Sequence, residues 1–208
     1  MTDIKILYQG AEAKIVKTRY MNRDVVQKIR LKKRYRHEII DRRLISSRTR
    51  EEAKLINEAR ENGISVPIIY DIDLLKGIIT MEYLKGARIK DIFNIISDEE
   101  RKRICLLIGK NIAKFHKKDI IHGDLTTSNM ILMDDRIHFI DFGLGEKSSE
   151  IETKGVDLHV LMEAIESAHS SFSYSFKYVL QGYKDELKDE ADSIIKKIEE
   201  IVRRGRYR

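Results

Sequence analysis

Two short polar motifs near the middle of the chain constrain its fold most strongly. The first runs from His122 through Asp124 to Asn129, and the second is Asp141-Phe142-Gly143. The apolar, strand-like residues 131–140 lie between them. Either motif alone is a weak signal, because Asp-Phe-Gly could be a simple turn between strands. The two motifs together, with an apolar strand between them, are hard to obtain by chance.

The residue types in these motifs suit phosphoryl transfer. They match the protein-kinase pattern H-x-D-x-x-x-x-N followed by D-F-G. Such a reaction needs Mg²⁺ to neutralise the phosphates, and Mg²⁺ prefers hard oxygen ligands. We therefore expect Asn129 and Asp141 to bind the metal. Asp124, kept apart from the metal, would orient the attacking hydroxyl or water.

This pattern requires two partners upstream, and the sequence offers both. Lys28 follows Val25-Val26-Gln27 on the third predicted strand and suits the binding of α- and β-phosphate oxygens. A carboxylate on the next helix should hold this lysine, and Glu51 and Glu52 are the candidates. Glu52 shares a helix face with Ile56, so it is the one expected to point inward.

The loop between the first two predicted strands is the candidate phosphate-covering loop. It contains Gly10, Ala11, Glu12 and Ala13, and it keeps only the first glycine of the usual G-x-G-x-x-G pattern. Gly10 still permits a close turn of the backbone over phosphates. These four residues are therefore predicted to contact the nucleotide.

The end of the fifth predicted strand is the candidate hinge for adenine. Met81 would be the gatekeeper residue, and Glu82 to Leu84 would offer the backbone groups that bind the base. Ordinary strand packing is the alternative interpretation of Met81.

The first part of the chain predicts a small antiparallel sheet with one helix. Three strands occupy residues 4–31, and a helix capped by Ser46 or Ser47 runs to Asn62 and stops at Gly63. Two further strands, 66–72 and 77–83, complete five. The fold class is therefore α+β, with a minimal protein-kinase-like bilobal fold.

The second part is predicted to be a small α-rich lobe. Ser97 and Glu100 form a capping-box signature, and Ile104 and Phe115 belong to the apolar stripe of the helix that follows. From Asp141 only sixteen residues lead to Asp157, which resembles the kinase aspartate that braces the catalytic loop. This distance leaves no room for an A-P-E motif or a full activation segment, so the acceptor is a specialised protein, the chain itself or water.

We divide the chain into one kinase-like domain with an N-lobe of residues 1–83, a C-lobe of residues 84–202 and a basic tail. The tail contains Arg203, Arg204, Arg206 and Arg208. Residues 1–50 carry 15 Lys and Arg against five Asp and Glu, although the whole chain has a net charge of only +6. This asymmetry favours an anionic partner, with nucleic acid as the first candidate. A solvated charged face is the alternative.

The sequence lacks signals for secretion, membrane insertion or disulfides. No apolar run approaches the roughly 18 residues of a spanning helix, and we expect a cytoplasmic protein without membrane contact. The single cysteine, Cys105, lies among apolar residues and is predicted to pack in the core.

Several motifs together resemble the PRPK family, the small RIO-related kinase subunits of the KEOPS (EKC) complex. These motifs are H-G-D-L-T-T-S-N-M, I-D-F-G-L with a short return to K-G-V-D-L, the loop Q-G-A-E-A, the stretch K-x-R-x-x-K-x-Y-R from Lys28 to Arg36, and the terminal R-R-G-R-Y-R. The resemblance covers essentially the whole chain.

The resemblance implies binding of ATP with Mg²⁺ and either autophosphorylation or ATP hydrolysis. It also implies docking on the threonylcarbamoyl-transferase subunit and other KEOPS subunits, in support of threonylcarbamoyladenosine formation at position 37 of tRNA. Arg30, Lys33, Tyr35 and Arg36 would belong to the family's basic signature. This basic segment and the tail arginines are the expected tRNA contacts.

Three other functions remain open from the sequence. A RIO-type kinase of ribosome maturation shares H-G-D, but normally has an additional N-terminal region, which we do not expect here. An aminoglycoside- or choline-type kinase shares the catalytic motif, but usually has a large helical insertion. A non-enzymatic scaffold should have lost Lys28, Asp124 or Asp141, and all three are present.

Overall fold

The computed structural model describes residues 4–205. The chain divides into two compact units. The first contains the chain up to Glu58 together with Pro67–Lys85, and the second contains Ala59–Val66 together with the chain from Gly86 onward. The lobe boundary near residue 83 stays a prediction. The single-domain organisation itself stays a prediction.

The first unit contains the five-stranded antiparallel sheet that the sequence predicted. Its strands are β1 (Lys5–Gln9), β2 (Ala13–Tyr20), β3 (Arg23–Arg30), β4 (Ile69–Asp73) and β5 (Ile78–Glu82). Their order is β1-β2-β3-β5-β4. Met21 and Asn22 form the turn between β2 and β3, and both have positive φ, as a tight two-residue hairpin requires.

The helix of the first unit, α1 (Glu38–Glu61), begins eight or nine residues before the predicted caps Ser46 and Ser47. That prediction is wrong, because the serine side chain can bond within a helix as well as cap one. Ser47 Oγ donates to the Glu51 carboxylate one turn later. The acidic residues Glu38 and Asp41 occupy the true first turn, where they favour the positive end of the helix dipole.

The end of α1 is close to where the sequence predicts it. Gly63 has a φ of +74°, its N–H donates to Arg60 O, and the N–H of Ile64 donates to Ala59 O. These two bonds form a Schellman motif, which needs a left-handed residue just after the helix. Ile64 is buried.

Up to Gly205, where the described residues end, the second unit contains five complete α-helices and two small sheets. Its helices are α2 (Ile89–Ile92), α3 (Asp98–Lys117), α4 (Ile151–Ala168), α5 (Phe176–Leu187) and α6 (Glu190–Gly205). Its strands are β6 (Ala87–Arg88), β7 (Ile120–Ile121), β8 (Met130–Met133), β9 (Arg136–Phe139) and β10 (Glu146–Lys147). Short 3₁₀ helices cover Thr127–Asn129 and Ser170–Ser175.

Helix α3 is the centre of this unit. Ser97 caps it by accepting a hydrogen bond from the N–H of Glu100 at 3.2 Å, as the sequence predicted. Its buried face packs on α5 at two glycines: a Cβ on Gly109 would meet Val179 O at 2.0 Å, and a Cβ on Gly182 would meet Leu106 O at 2.2 Å. The two helix backbones therefore approach more closely than larger side chains would allow.

The end of α6 differs from the sequence prediction. Helix α4 begins at Ile151, before Asp157, and α6 continues through Arg203 and Arg204 to Gly205. The predicted tail is thus partly helical. Arg204 also forms an ion pair with Glu152 of α4, a contact that was not predicted from the sequence. Arg206 and Arg208 lie outside the described residues.

Within residues 4–205, none of the helices has the length and apolar content of a membrane-spanning segment. Cys105 is fully buried on α3, as predicted. Burial raises the pKa of its thiol to about 12.

Candidate active site

A buried cluster of three charged side chains joins β3 to α1 in the first unit. Lys28 Nζ donates to Glu52 Oε1 at 2.6 Å, and Arg30 Nη2 donates to Glu52 Oε2 at 2.6 Å. The side chains are 6%, 7% and 1% exposed for Lys28, Arg30 and Glu52. The predicted contact between Lys28 and Glu52 is present, and the second cation on the same carboxylate was not predicted.

The adjacent glutamate has a different environment. Glu51 is exposed, and its carboxylate accepts a hydrogen bond from Ser47 on the same helix. Glu52 faces inward because it shares its side of α1 with the buried Ile56. The helical phase read from the sequence therefore matches the structure, while the catalytic roles of Lys28 and Glu52 stay predictions.

The candidate phosphate-covering loop is fastened to the rest of the first unit. Gly10 N–H donates to Ala13 O at 3.0 Å, and Glu12 O accepts from the N–H of Leu31 at 3.0 Å. The Glu12 carboxylate forms ion pairs of 3.2 Å with both Lys33 and Arg48. The hydrogen bond from Lys33 lowers the pKa of Glu12. Ion pairs thus restrain a loop that has only one glycine.

Lys33, a residue of the predicted basic signature, also holds this loop in place. Its Nζ donates to Ala11 O, and its side chain is only 15% exposed. Arg30 is buried against Glu52, and Arg36 pairs with Asp41 at 3.4 Å. Only Tyr35 of the four signature residues is strongly exposed. The structure therefore does not place this signature as one solvent-facing basic surface.

Met81 lies in a small apolar cluster of the first unit with Ala53 and Ile79, against which Val26 and Ile69 pack. This environment matches the packing interpretation and is also compatible with a gatekeeper.

The rest of the predicted hinge is held by ordinary strand contacts. The N–H of Glu82 donates to Ile68 O at 2.8 Å, and its carboxylate accepts from the N–H of Ile68 at 3.2 Å. Leu84 is buried. The adenine contacts of these residues stay predictions.

The catalytic loop of the second unit brings Asp124 and Asn129 together. Asn129 Nδ2 donates to Asp124 Oδ2 at 2.8 Å and to Asp124 O at 3.0 Å. Both amide hydrogens are therefore engaged, which leaves Asn129 Oδ1 as the atom able to bind a metal. Asp124 keeps Oδ1 for a second hydrogen bond. This arrangement fits the separate roles predicted for the two residues.

A buried carboxylate on α4 fixes the start of this loop. Asp157 Oδ2 accepts from the N–H of His122 at 3.0 Å, and Oδ1 accepts from the N–H of Gly123 at 2.8 Å. Oδ2 also contacts His116 Nε2 at 3.3 Å. Gly123 has a φ of +79°, and a Cβ there would meet Leu144 O at 2.1 Å. The turn before Asp124 therefore requires both Asp157 and a glycine.

His122 packs in the core as a neutral imidazole. Its Nε2 lies 3.1 Å from Ile140 O, which can only accept, so Nε2 carries the hydrogen. Nδ1 then accepts from the N–H of Asp124 at 3.3 Å. Burial lowers the pKa of His122, because desolvation disfavours the charged form. The ring also packs against Phe142, with centroids 4.5 Å apart and the two ring planes tilted by 45°.

The hairpin of β8 and β9 carries the second motif. Asp141 follows β9 with a φ of +65°, a left-handed conformation that Asp tolerates better than most residues. Its Oδ1 accepts a hydrogen bond from the N–H of Gly143 at 3.2 Å. Phe142 is buried against Phe115, with ring centroids 5.7 Å apart. The buried Phe142 thus anchors the turn on which Asp141 lies.

The donor set of the second unit fits Mg²⁺ bound to a nucleotide. Among residues 4–205 there is no group of three or more His, Cys, Asp or Glu side chains that could hold a metal. The predicted ligands, Asn129 and Asp141, would instead offer one amide oxygen and one carboxylate. Mg²⁺ is commonly bound in this way, with few protein ligands and the remainder from phosphates and water.

One further support of the loop was not predicted from the sequence. Thr127 Oγ1 lies 2.9 Å from His169 Nε2, and His169 Nδ1 lies 2.7 Å from Asn94 Oδ1. Thr127 and His169 are almost fully buried. No spacing pattern could have identified this contact, because the three residues come from distant parts of the chain.

Comparison with known proteins identifies relatives across the whole chain. The sequence model of the RIO domain matches residues 9–150. The KEOPS complex subunit Bud32 of Pyrococcus abyssi is 44% identical, with 99% of this chain and 97% of that protein covered. Bifunctional tRNA threonylcarbamoyladenosine biosynthesis proteins of Methanobrevibacter smithii and Methanothermobacter thermautotrophicus are 41% and 43% identical, and the chain spans 36% of the length of each.

A solved structure, WaaP in complex with acyl carrier protein, is similar in fold. It has a TM-score of 0.62 at 15% sequence identity, with 96% of this chain and 89% of WaaP covered. Together with the RIO-domain match, this similarity shows that the fold is kinase-like.

Proposed function

Because the chain belongs to the RIO-domain family, and within it to the family of the KEOPS complex subunit Bud32, we propose that it binds ATP with Mg²⁺ and transfers the γ-phosphoryl group to a protein hydroxyl or to water. The observation that carries this proposal is the buried contact of Lys28 with Glu52.

Burying this ion pair has a desolvation cost that fold stability alone does not explain. Removing two charges from water costs several kcal/mol per ion, and well-packed apolar residues of similar volume are often as stabilising or more so. A chain with a purely scaffolding role would gain little from keeping Lys28 and Glu52 buried together. A phosphotransferase needs a positioned cation for the phosphates, which supports the enzymatic interpretation.

Each proposed site residue has one task. Lys28 binds phosphate oxygens, and Glu52 holds Lys28 in place. Asn129 Oδ1 and the Asp141 carboxylate would hold Mg²⁺, which supplies charge neutralisation on the phosphates when bound. Asp124 accepts the hydrogen bond of the attacking hydroxyl or water through its remaining oxygen and so orients the nucleophile.

The short segment between the second motif and α4 limits the kinds of phosphoryl acceptor that the site can use. Only residues 142–150 lie between Asp141 and Ile151, where α4 begins. This length supports an acceptor other than a peptide laid along a full activation segment. The acceptor is therefore a hydroxyl of the chain itself, a hydroxyl of a dedicated partner, or water.

The proposed pathway is threonylcarbamoyladenosine formation in tRNA. The names of the Pyrococcus abyssi and Methanobrevibacter smithii relatives support this proposal, and coverage of nearly the whole Bud32 relative favours it over a role in ribosome maturation. The chain would work in the cytoplasm with the other KEOPS subunits. Exposed arginines at the end of α6, Arg203 above all, would contact tRNA phosphates.

The test of the site is ATP turnover by the wild type and by Asp141→Ala. The chain is mixed with ATP and Mg²⁺, alone and with the KEOPS transferase subunit and tRNA, and phosphoprotein and free phosphate are measured separately. Asp141→Ala should lower turnover by at least about 10³-fold, because the metal site loses its charged ligand. Asp185→Ala, which removes an exposed carboxylate of α5, is the matched control. Turnover of Asp141→Ala within about tenfold of wild type would contradict the proposed site.

A further inference from the structure

Arg30 lies two residues after Lys28 on β3, so both side chains emerge from the same face of the sheet. They meet one carboxylate there. Each oxygen of Glu52 binds one cation at 2.6 Å, Oε1 to Lys28 and Oε2 to Arg30. Because both oxygens are engaged, Glu52 cannot rotate about its last bond without breaking a charge-assisted hydrogen bond.

The guanidinium of Arg30 also reaches a second point on α1. Its Nη2 makes a longer contact of 3.4 Å with the backbone oxygen of Arg48, one turn before Glu52. The ammonium group of a lysine would be a single point charge, whereas the planar guanidinium has several donors in a fixed arrangement. Arg30 therefore connects β3 to two successive turns of the helix.

The backbone of Arg30 is held by the connection between β4 and β5. Its N–H donates to Gly77 O at 3.0 Å in the β4–β5 connection. Gly77 has a φ of +67°, and a Cβ there would meet Ile45 of α1 at 2.3 Å and Arg30 Cβ at 3.3 Å. This close approach leaves Arg30 little freedom to move away from α1.

Stability of the fold does not explain why Arg30 is buried. Its Nε is buried with no hydrogen-bond partner among residues 4–205, and an unsatisfied buried donor has a cost. A second buried cation on one carboxylate adds a further desolvation cost. An apolar residue at position 30 would avoid both costs, so the arginine calls for a functional explanation.

We propose that Arg30 is a positioning residue that acts through Glu52 to hold Lys28 in its nucleotide-binding position. In many kinases the contact between this lysine and the helix glutamate forms and breaks as the helix moves, and this movement controls activity. Here Arg30 holds the glutamate and the helix independently of the lysine. The Lys28–Glu52 contact therefore stays assembled before the nucleotide binds and while Lys28 engages phosphates. This inference rests on the proposed phosphotransferase function.

The test is a double-mutant cycle with Arg30→Met and Glu52→Gln. The kcat and KM for MgATP turnover and the Kd of MgATP are measured for wild type, both single variants and the double variant. Arg30→Met should lower kcat/KM by about 30- to 100-fold, a loss typical of a misplaced catalytic group. In the Glu52→Gln background, Arg30→Met should lower kcat/KM by less than about threefold, because Glu52, the residue through which Arg30 acts, is already impaired.

Two further variants separate positioning from general stabilisation. Arg42→Met removes an exposed arginine of α1 that pairs with Glu38, and it should leave kcat/KM within about twofold of wild type. Arg30→Lys keeps the charge and should recover part of the activity; it also provides a folded variant if Arg30→Met does not fold. Thermal unfolding of each variant is recorded alongside.

The outcomes distinguish the inference from the function on which it rests. Wild type that neither binds nor turns over MgATP would contradict the proposed function and the inference together. Active wild type with an Arg30→Met effect of equal size in both backgrounds, or with Arg30→Met and Arg30→Lys within about threefold of wild type, would overturn the inference alone. A loss confined to the background with an intact Glu52, partly recovered by lysine, would support it.

Discussion

The carboxylate of Asp157 allows a prediction whose size follows from the structure. It is buried, and it accepts hydrogen bonds from the N–H groups of His122 and Gly123 and contacts the His116 ring. Asp157→Asn keeps the shape of the side chain but replaces one oxygen with an amide nitrogen. Two of the three contacts are made by Oδ2. The asparagine amide should therefore adopt the orientation that keeps its oxygen at the Oδ2 position and places its NH₂ group against the N–H of Gly123.

This orientation loses one hydrogen bond to a charged acceptor and leaves the N–H of Gly123 without a partner. A hydrogen bond to a charged group contributes about 1.5–3 kcal/mol, and a buried unsatisfied donor costs about 1–3 kcal/mol. We therefore expect Asp157→Asn to lower the free energy of unfolding by about 3 kcal/mol. At about 2–4 °C per kcal/mol for a chain of this size, Tm should fall by roughly 6–12 °C. MgATP turnover should fall by about tenfold or more, because the loop that carries Asp124 is displaced.

Thermal unfolding followed by circular dichroism measures the first effect, and turnover at a temperature where the variant is folded measures the second. Glu186→Gln is the matched control, since it removes an exposed ion pair between Glu186 and Lys117 and should change stability by about 1 kcal/mol at most. If Asp157→Asn lowers Tm no more than this control does, Asp157 does not brace the loop as argued.

Three further predictions concern other parts of the chain. Glu52→Gln should reduce MgATP turnover more than Glu51→Gln, because only the inward carboxylate of Glu52 reaches Lys28. The reverse order would mean that Glu51 is the partner of Lys28. Since burial lowers the pKa of His122, the unfolded state binds more protons than the folded state as the pH falls through about 6.5. Stability to urea should therefore be full above about pH 7.5 and should fall between about pH 7.5 and 5.5, less steeply in His122→Phe. Deleting residues 203–208 should weaken the salt dependence of tRNA binding in filter assays. The slope of log affinity against log salt concentration should become shallower by about 2, which corresponds to three phosphate contacts, because Arg204 already has an ion-pair partner. An unchanged slope would exclude the tail as a tRNA contact.

The sequence was sufficient for features that depend on neighbouring residues. The Ser97 cap and the left-handed stop at Gly63 follow from local backbone chemistry. The inward direction of Glu52 follows from the 3.6-residue helical period, since Ile56 lies one turn later on the same face. The spacing of Asn129 and Asp141 follows from the hairpin between them. Each of these signals is contained within a few residues, so no tertiary contact is needed to interpret it.

The tertiary structure alone decided which polar residues share partners. Arg30 belongs to a basic stretch that was expected to contact tRNA, but its side chain bonds to a carboxylate 22 residues away in the sequence. The contact from Thr127 to His169 spans 42 residues, and no sequence period connects such positions. The start of α1 was missed because Ser46 and Ser47 favour a cap locally, whereas helical packing continues upstream to the buried Asp41 and Ile45. Local pattern determined the secondary structure and the helix faces, but the energy of a buried charge depends on every group around it, and only the folded chain brings those groups together.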